Sequence, residues 1–193
     1  MKNIYSFGIV PSYNYTAFYI AINNKTIIHY DYIRNIEISN NLIKKINNIK
    51  DNNIIEFLTI FTGPSTSITS RCIISFIKGW SASKNIPISN IFGENYYILN
   101  NNCINIIEIF NKNFLYIENN KKTILNEHDL FSILEKKTKT ILFSGINNLK
   151  IEGKIISQTL FPNINLINTN SYNNFENQKL IFSNSNINSY NIK

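Results

Sequence analysis

The sequence predicts an α/β protein built on a mixed, partly parallel sheet, and three features carry that prediction. The chain opens with three apolar stretches of strand length, residues 3–10, 15–22 and 26–33, separated by short turns. Residues 54–61 (IIEFLTIF) form an uninterrupted apolar run, the pattern of a strand buried on both faces. A turn, a long helical pattern and a short apolar stretch follow that run, which is the order of a βαβ unit.

Taken in order, Ile4–Val10 follows Lys2 as a short signal sequence would. Pro11 ends the stretch and no small-residue cleavage pattern follows, so it reads as a first strand. The strand at 15–22 turns through Asn23-Asn24-Lys25 into the strand at 26–33, giving a meander. Ile38, Leu42, Ile46 and Ile49 recur at helical spacing, with Ile43 widening the face. They predict a helix over 38–50 that Ser39 or Asn40 can cap. The run at 54–61 ends in the turn Gly63-Pro64-Ser65-Thr66. A helix from about Ser67 to Ser83 and a short strand at Ile86-Pro87-Ile88 come next. The second half begins near Asn101, dividing the chain into 1–100 and 101–193. Residues 103–110 and 113–118 flank Asn111-Lys112 as a hairpin. Asn126 caps a short helix carrying Leu130, Phe131 and Leu134, and Asp129 in its first turn suits the helix dipole. Residues 139–144 form a strand ending in Gly145. The asparagine-rich tail, 163–193, is expected to be partly mobile, and no internal repeat is visible.

The length, 193 residues, fits one domain or two small lobes, and a 44% hydrophobic content excludes a disordered chain. Isoleucine (40), asparagine (36) and lysine (17) make up about half the residues. All three can be encoded with A and T alone, so the bias points to an AT-rich gene, as in a reduced genome. Isoleucine then stands where leucine, valine or alanine would serve. The net charge of +7 comes almost wholly from lysines scattered singly or in pairs such as Lys44–Lys45, Lys121–Lys122 and Lys136–Lys137. Only Arg34 and Arg71 could make bidentate phosphate contacts, so the charge reads as a solvated surface. Weak tRNA affinity by charge alone stays open. No run approaches the roughly 18 apolar residues of a membrane helix. Two distant cysteines exclude a disulfide scaffold and a four-cysteine zinc site. A soluble, cytoplasmic protein is expected.

In the helix after Gly63 successive residues turn by about 100°. Cys72, Ile73, Phe76, Ile77 and Trp80 share one broad arc, which is expected to pack on the sheet. Arg71, Ser75, Lys78 and Ser81 share another, with Ile74 among them. That isoleucine is either ordinary surface or part of a stripe covered by a partner protein.

Chemistry-bearing groups are sparse. Asp31, Asp51 and Asp129 are the only aspartates, and none sits in a glycine-rich turn after a strand. There is no P-loop and no Gly-x-Gly-x-x-Gly. Gly63-Pro64 is the one glycine turn ahead of a helix. Its hydroxyls could attract an anion, but capping is their plainer role. His29 and His128 form no i, i+4 pair. Cys72 lies on the packed helix face and Cys103 opens a strand. No catalytic residue, cofactor or metal site is assigned.

The segment LTIFTGPSTSITSRCIISFIKGW (58–80) resembles the signature of the bacterial TsaB (YeaZ) family. That signature is a buried strand, Gly-Pro-Gly-Ser-Phe-Thr-Gly-Leu-Arg, and a small-residue helix ending near Lys-Gly. Gly63, Pro64, Arg71, Lys78 and Gly79 stand at matching spacing, and Thr66 completes the motif turn. Ser65, Ser67 and Thr69 replace two glycines and a phenylalanine. Gly8 falls in the Phe7-Gly8-Ile9 stretch, where the family's first strand ends in Asp-Thr. Glu108 and Phe110 stand where the family has aspartate and arginine, and Tyr190–Lys193 faintly matches a family ending.

The resemblance implies a two-lobed fold of the actin/Hsp70/sugar-kinase type (ASKHA, ribonuclease H-like), each lobe with a mixed sheet. It implies a noncatalytic partner of a TsaD-like catalytic subunit. With a TsaE-like ATPase, that assembly moves a threonylcarbamoyl group onto the adenosine beside the anticodon. The first two helices would pair with TsaD as a four-helix bundle. Leu42, Ile43, Ile46, Arg71, Ile74, Ser75 and Lys78 are the expected face or its support. Homodimerisation through the same helices and only indirect contact with tRNA also follow. Two other functions compete: a divergent ATP-dependent enzyme of this fold, disfavoured by the missing metal and phosphate groups, and a nucleic-acid-binding module, disfavoured by arginine poverty.

Overall fold

Three antiparallel strands, β1 (Tyr5–Pro11), β2 (Tyr15–Ile22) and β3 (Thr26–Arg34), open the chain as the sequence predicts. In the computed structural model the described residues are 3–24, 26–47, 55–97, 103–110, 112–119, 121–145, 156–159, 161–182 and 187. Asn35 fixes the exit from β3. Its amide donates to the carbonyls of Ser12 and Tyr13 at 2.9 and 2.8 Å, and its oxygen accepts from Thr16 at 2.7 Å. A single 3-10 turn, Asn35–Glu37, leads directly into α1 (Ile38–Asn47). Ser39 and Asn40 therefore lie within the helix, after its first residue. Ile49 and Asp51 fall outside the described residues.

β4 (Ile55–Thr62) inserts beside β1 in parallel, α2 (Ser67–Lys84) crosses over, and β5 (Ile88–Phe92) pairs parallel to β4. The last strand begins where the expected one at 86–88 ends. The sheet order is β3-β2-β1-β4-β5. Phe7, Ile9, Phe18, Ile20, Leu58 and Ile60 point into a core closed by Leu42 and Ile46 of α1 and by Ile73 and Ile77 of α2.

The second sheet begins with β6 (Ile104–Phe110), β7 (Asn113–Glu118) and β8 (Lys121–Asn126), again an antiparallel meander. Between β6 and β7 the turn residue Lys112 adopts φ 58°, the left-handed conformation that hairpins use. α3 (Glu127–Glu135) starts at Asn126, whose side chain accepts from the Asp129 amide at 2.8 Å, the predicted cap. β9 (Ile141–Ser144) pairs parallel to β6, and β10 (Ile156–Thr159) parallel to β9. Ile104, Ile106, Phe114 and Phe143 pack with Leu130 and Leu134 of α3 into a separate core.

The order β10-β9-β6-β7-β8 repeats the first sheet strand for strand: a three-stranded meander whose first member takes two parallel neighbours on its other side. The shared strand order has no counterpart in a visible sequence repeat because it resides in pairing, not in shared residues.

α4 (Ile164–Glu176) belongs to the first sheet. The Phe175 ring stacks on Phe57 at 4.8 Å, and the Ser171 and Thr59 hydroxyls meet at 2.5 Å. Asn168 accepts from the Ser6 hydroxyl at 3.3 Å and donates to the Asn23 carbonyl at 3.3 Å. Ile181 then bridges to the outer edge of β5 with two backbone hydrogen bonds. One compact unit thus comprises residues 1–93 with 164–193, and the other 94–163. This differs from the division at 100/101, which placed the asparagine-rich tail in the second lobe. Residues 164–176 of the expected tail form α4, while Tyr190–Lys193 lies outside the described residues. α1 and α2 on one face and α4 on the other explain the uninterrupted apolar run of β4.

Candidate functional site

The motif turn is built for helix capping. A side chain on buried Gly63 would run into the Phe61 ring, so the tight exit from β4 requires glycine there. Thr66 is the N-cap of α2: its hydroxyl oxygen accepts from the Thr69 amide at 3.2 Å while donating to the Thr69 hydroxyl at 2.7 Å. The Ser65 and Ser70 hydroxyls meet at 2.6 Å. These hydroxyls satisfy one another, which is the capping role. At the far end Asn85 takes the left-handed C-cap conformation at φ 52°, and its amide donates to the Ser81 carbonyl.

The outward surface of α1 and α2 differs in detail from the expected face. Leu42 and Ile46 are core residues, each 4% exposed, and support the surface from below. Ile43 is 60% exposed, and Arg71 and Ser75 are also exposed. Lys78 is half-buried. Ile74 is half-buried too and packs against the first core, so it is not a free isoleucine in a polar stripe. Ser81 is fully buried, its hydroxyl donating to the Ile86 carbonyl at 2.6 Å, which removes it from that stripe as well.

Between the two helices runs an open groove of about 580 Å³. Ile43, Ile46 and Asn47 form its α1 side; Ser75, Phe76, Gly79 and Trp80 form its α2 side, with Ser83 and Lys84 at one end. Phe76 and Trp80 meet edge to face at 5.7 Å, and Trp80 also touches Phe7 at 4.8 Å. The structure thus brings together Ile43, Ile46 and Ser75 from the expected face. Arg71, Ile74 and Lys78 do not line the groove. Phe76, Gly79 and Trp80 were missed because the wheel assigned the aromatic pair to the sheet. The width of the apolar arc was the available signal: part of it serves the sheet and part faces the groove.

Gly8 occupies a row with Tyr19 on β2 and Thr59 on β4. A side chain at Gly8 would collide with the buried Tyr19 ring, which fills the space that an aspartate would need. Burial raises the Tyr19 pKa above its ordinary value, and the neighbouring Thr59 hydroxyl only partly offsets this.

Several carboxylates are engaged in structure. Glu118 is held by Lys137 at 2.7 Å and by the Tyr116 hydroxyl at 2.8 Å, with Lys139 at 3.4 Å. The Lys137 contact, ahead of Tyr116, brings its pKa down to about 2. Buried Glu94 pairs with Lys122, and buried Glu108 lies against Gly145. Among the described residues no group of three His, Cys, Asp or Glu side chains could hold a metal ion. Among those residues, no helix is long and apolar enough to cross a membrane.

No protein-family description and no curated sequence matches the chain. Solved structures do. YeaZ from Pseudomonas aeruginosa superposes with a TM-score of 0.60 over 94% of this chain and 97% of its own, at 7% identity. An uncharacterized protein with similarity to peptidase YeaZ, also from Pseudomonas aeruginosa, gives 0.61 over 98% and 99%, at 10% identity. The ethanolamine utilization protein EutJ from Carboxydothermus hydrogenoformans gives 0.52 over 89% and 90%, at 9% identity. The expected fold class holds: the chain has the α/β fold of these proteins, two mixed sheets with flanking helices, and its architecture is YeaZ-like over nearly its whole length.

Proposed function

We propose that this protein is a noncatalytic partner subunit that binds and orders a TsaD-like catalytic subunit in the threonylcarbamoyl-transfer assembly. The modified nucleotide is the adenosine next to the tRNA anticodon, and this chain meets tRNA only indirectly. The observation that carries the reading is the α1–α2 surface, where exposed Ile43 and the aromatic pair Phe76 and Trp80 border an open groove. In a soluble fold, an apolar surface of this kind marks a protein contact. The YeaZ-like architecture and the Gly63–Gly79 motif support the identity of the partner. The Phe7-Gly8-Ile9 stretch carries no aspartate, and the Tyr19 ring fills the space beside Gly8, which supports a role without phosphate chemistry.

The test is co-expression with the TsaD-type subunit of the same genome. A stoichiometric complex on size-exclusion chromatography, and tRNA modification that requires both chains, are expected. If no complex forms, or if the isolated chain binds magnesium–ATP at micromolar affinity, the reading is wrong; the second result favours an ATP-dependent enzyme.

A further inference from the structure

We propose that the outer edge of β3 is a self-association surface, where β3 of a second copy pairs antiparallel about Tyr30 and joins the two first sheets into one. Among the described residues β3 ends its sheet, with β2 on one side only. Its counterpart in the second sheet is β8, which likewise ends a three-stranded meander. The two edges are finished differently. β8 opens with exposed Lys121 and Lys122, charges of the kind that keep strand edges from pairing. β3 contains no lysine, and it exposes Ile28 and Tyr30, each at 45%, and Tyr32 at 48%. Backbone direction fits a further strand. The Asn35 amide donates to the Asn14 carbonyl at 2.8 Å, so odd-numbered positions from His29 onward direct their backbone groups to β2 and even-numbered ones direct theirs outward. Tyr32 agrees, its amide donating to the Asp31 carboxylate at 2.7 Å. The aromatic row is already packed within the single chain: Tyr15 meets Tyr32 edge to face at 5.7 Å, and the Tyr30 and Tyr32 rings lie 6.4 Å apart.

Charge complementarity decides that the added strand is a second β3. An antiparallel copy centred on Tyr30 sets Tyr30 against Tyr30, Ile28 against Tyr32 and His29 against Asp31. Two-fold symmetry makes the last pair twice. His29 and Asp31 stand opposite Ile20 and Phe18 of β2, on the other face of the sheet from Tyr30 and Tyr32. Each carboxylate therefore receives an imidazole N–H on one face, while the aromatic row covers its twin on the other. A parallel copy in register would set Asp31 against Asp31, so the contact closes on two chains and does not propagate as a fibre. Ile28 is the extra residue of a bulge, since His29 pairs with Ile20 and Ile27 with Ala21. The bulge turns the strand away beyond that point and confines the new ladder to residues 28–32.

Sedimentation equilibrium of the full chain, with hydrogen exchange at several protein concentrations, tests this. A monomer–dimer equilibrium is expected, and exchange of the Tyr30 amide should slow as the dimer fills. His29→Asp sets carboxylate against carboxylate and Asp31→His sets imidazole against imidazole; each should weaken the dimer by at least about tenfold. Combining the two exchanges the partners' places and should recover most of that loss, which a merely structural effect of either substitution would not do. Tyr30→Lys puts two ammonium groups together at the symmetry axis and should leave a monomer with unchanged circular dichroism. A chain that stays monomeric up to high concentration would overturn the proposal. So would a double variant that recovers nothing, or a dimer that Tyr30→Lys leaves intact and Ile43→Glu dissolves, which would place the contact on α1. None of the three β3 substitutions alters α1 or α2, so their failure leaves the partner-subunit reading standing.

Discussion

At the scale of single residues, the Gly8–Tyr19 pair shows how one side chain consumes the space of another. Introducing a carboxylate with Gly8→Asp forces the ring to move and buries a charge beside it. A loss of roughly 2–3 kcal/mol or more is expected by urea denaturation, as for an overpacked core. Combining it with Tyr19→Leu should recover part of the loss, a coupling that a double-mutant cycle measures. Glu118 gives a pH-dependent case. Its folded pKa, about 2, lies below the ordinary 4.5, so the folded state favours the ionised form. That stabilisation is fully present above pH 4.5 and is lost as pH falls from there toward 2. Glu118→Gln should cost about 1 kcal/mol at pH 7, since Lys137 and Lys139 are partly exposed. The cost should shrink toward pH 2–3; urea midpoints at the two pH values check it.

At the scale of elements, α2 offers two opposed substitutions. Thr66→Ala removes the cap and should cost about 1 kcal/mol. Gly79→Ala adds a methyl group to open space in a helix interior and should stabilise by about 0.5–1 kcal/mol in the same thermal or urea measurement. Ile74→Glu, by contrast, strikes the first core as well as the surface, so a lost complex in that variant would report folding and contact together. What the sequence disclosed followed from burial. β4 was legible because helices cover both its faces, and the first meander because its strands are apolar and separated by short turns. β8 was missed because it is an exposed edge strand with no apolar alternation to read. α4 was missed because its buried residues include Asn168 and Ser171, which reach the sheet through hydrogen bonds; a helix that docks by polar contacts shows no apolar stripe. For the groove, Ile43, Ile46 and Ser75 were readable from spacing. The opening between α1 and α2 depends on how far apart two packed helices stand, which no residue pattern encodes.

At the scale of the whole molecule, two copies of one strand order arise from a chain that shows no visible sequence repeat, so different residues meet the same pairing geometry. The first unit is discontinuous, closed by residues 164–182 after an excursion through the second. Phe175→Ala should therefore lower its stability by roughly 2 kcal/mol, less than a fully buried phenylalanine because the ring is half-exposed. A chain ending at 163 should lose protection of the β4 and β5 amides in hydrogen exchange while β6 and β7 keep theirs. The same detour bears on biosynthesis. Phe57 and Thr59 leave the ribosome long before Phe175 and Ser171, so the earlier-made unit cannot be completed until α4 has been synthesised. The later-made unit needs no such wait, and the nascent protein should mature in the reverse of the order in which it is synthesised.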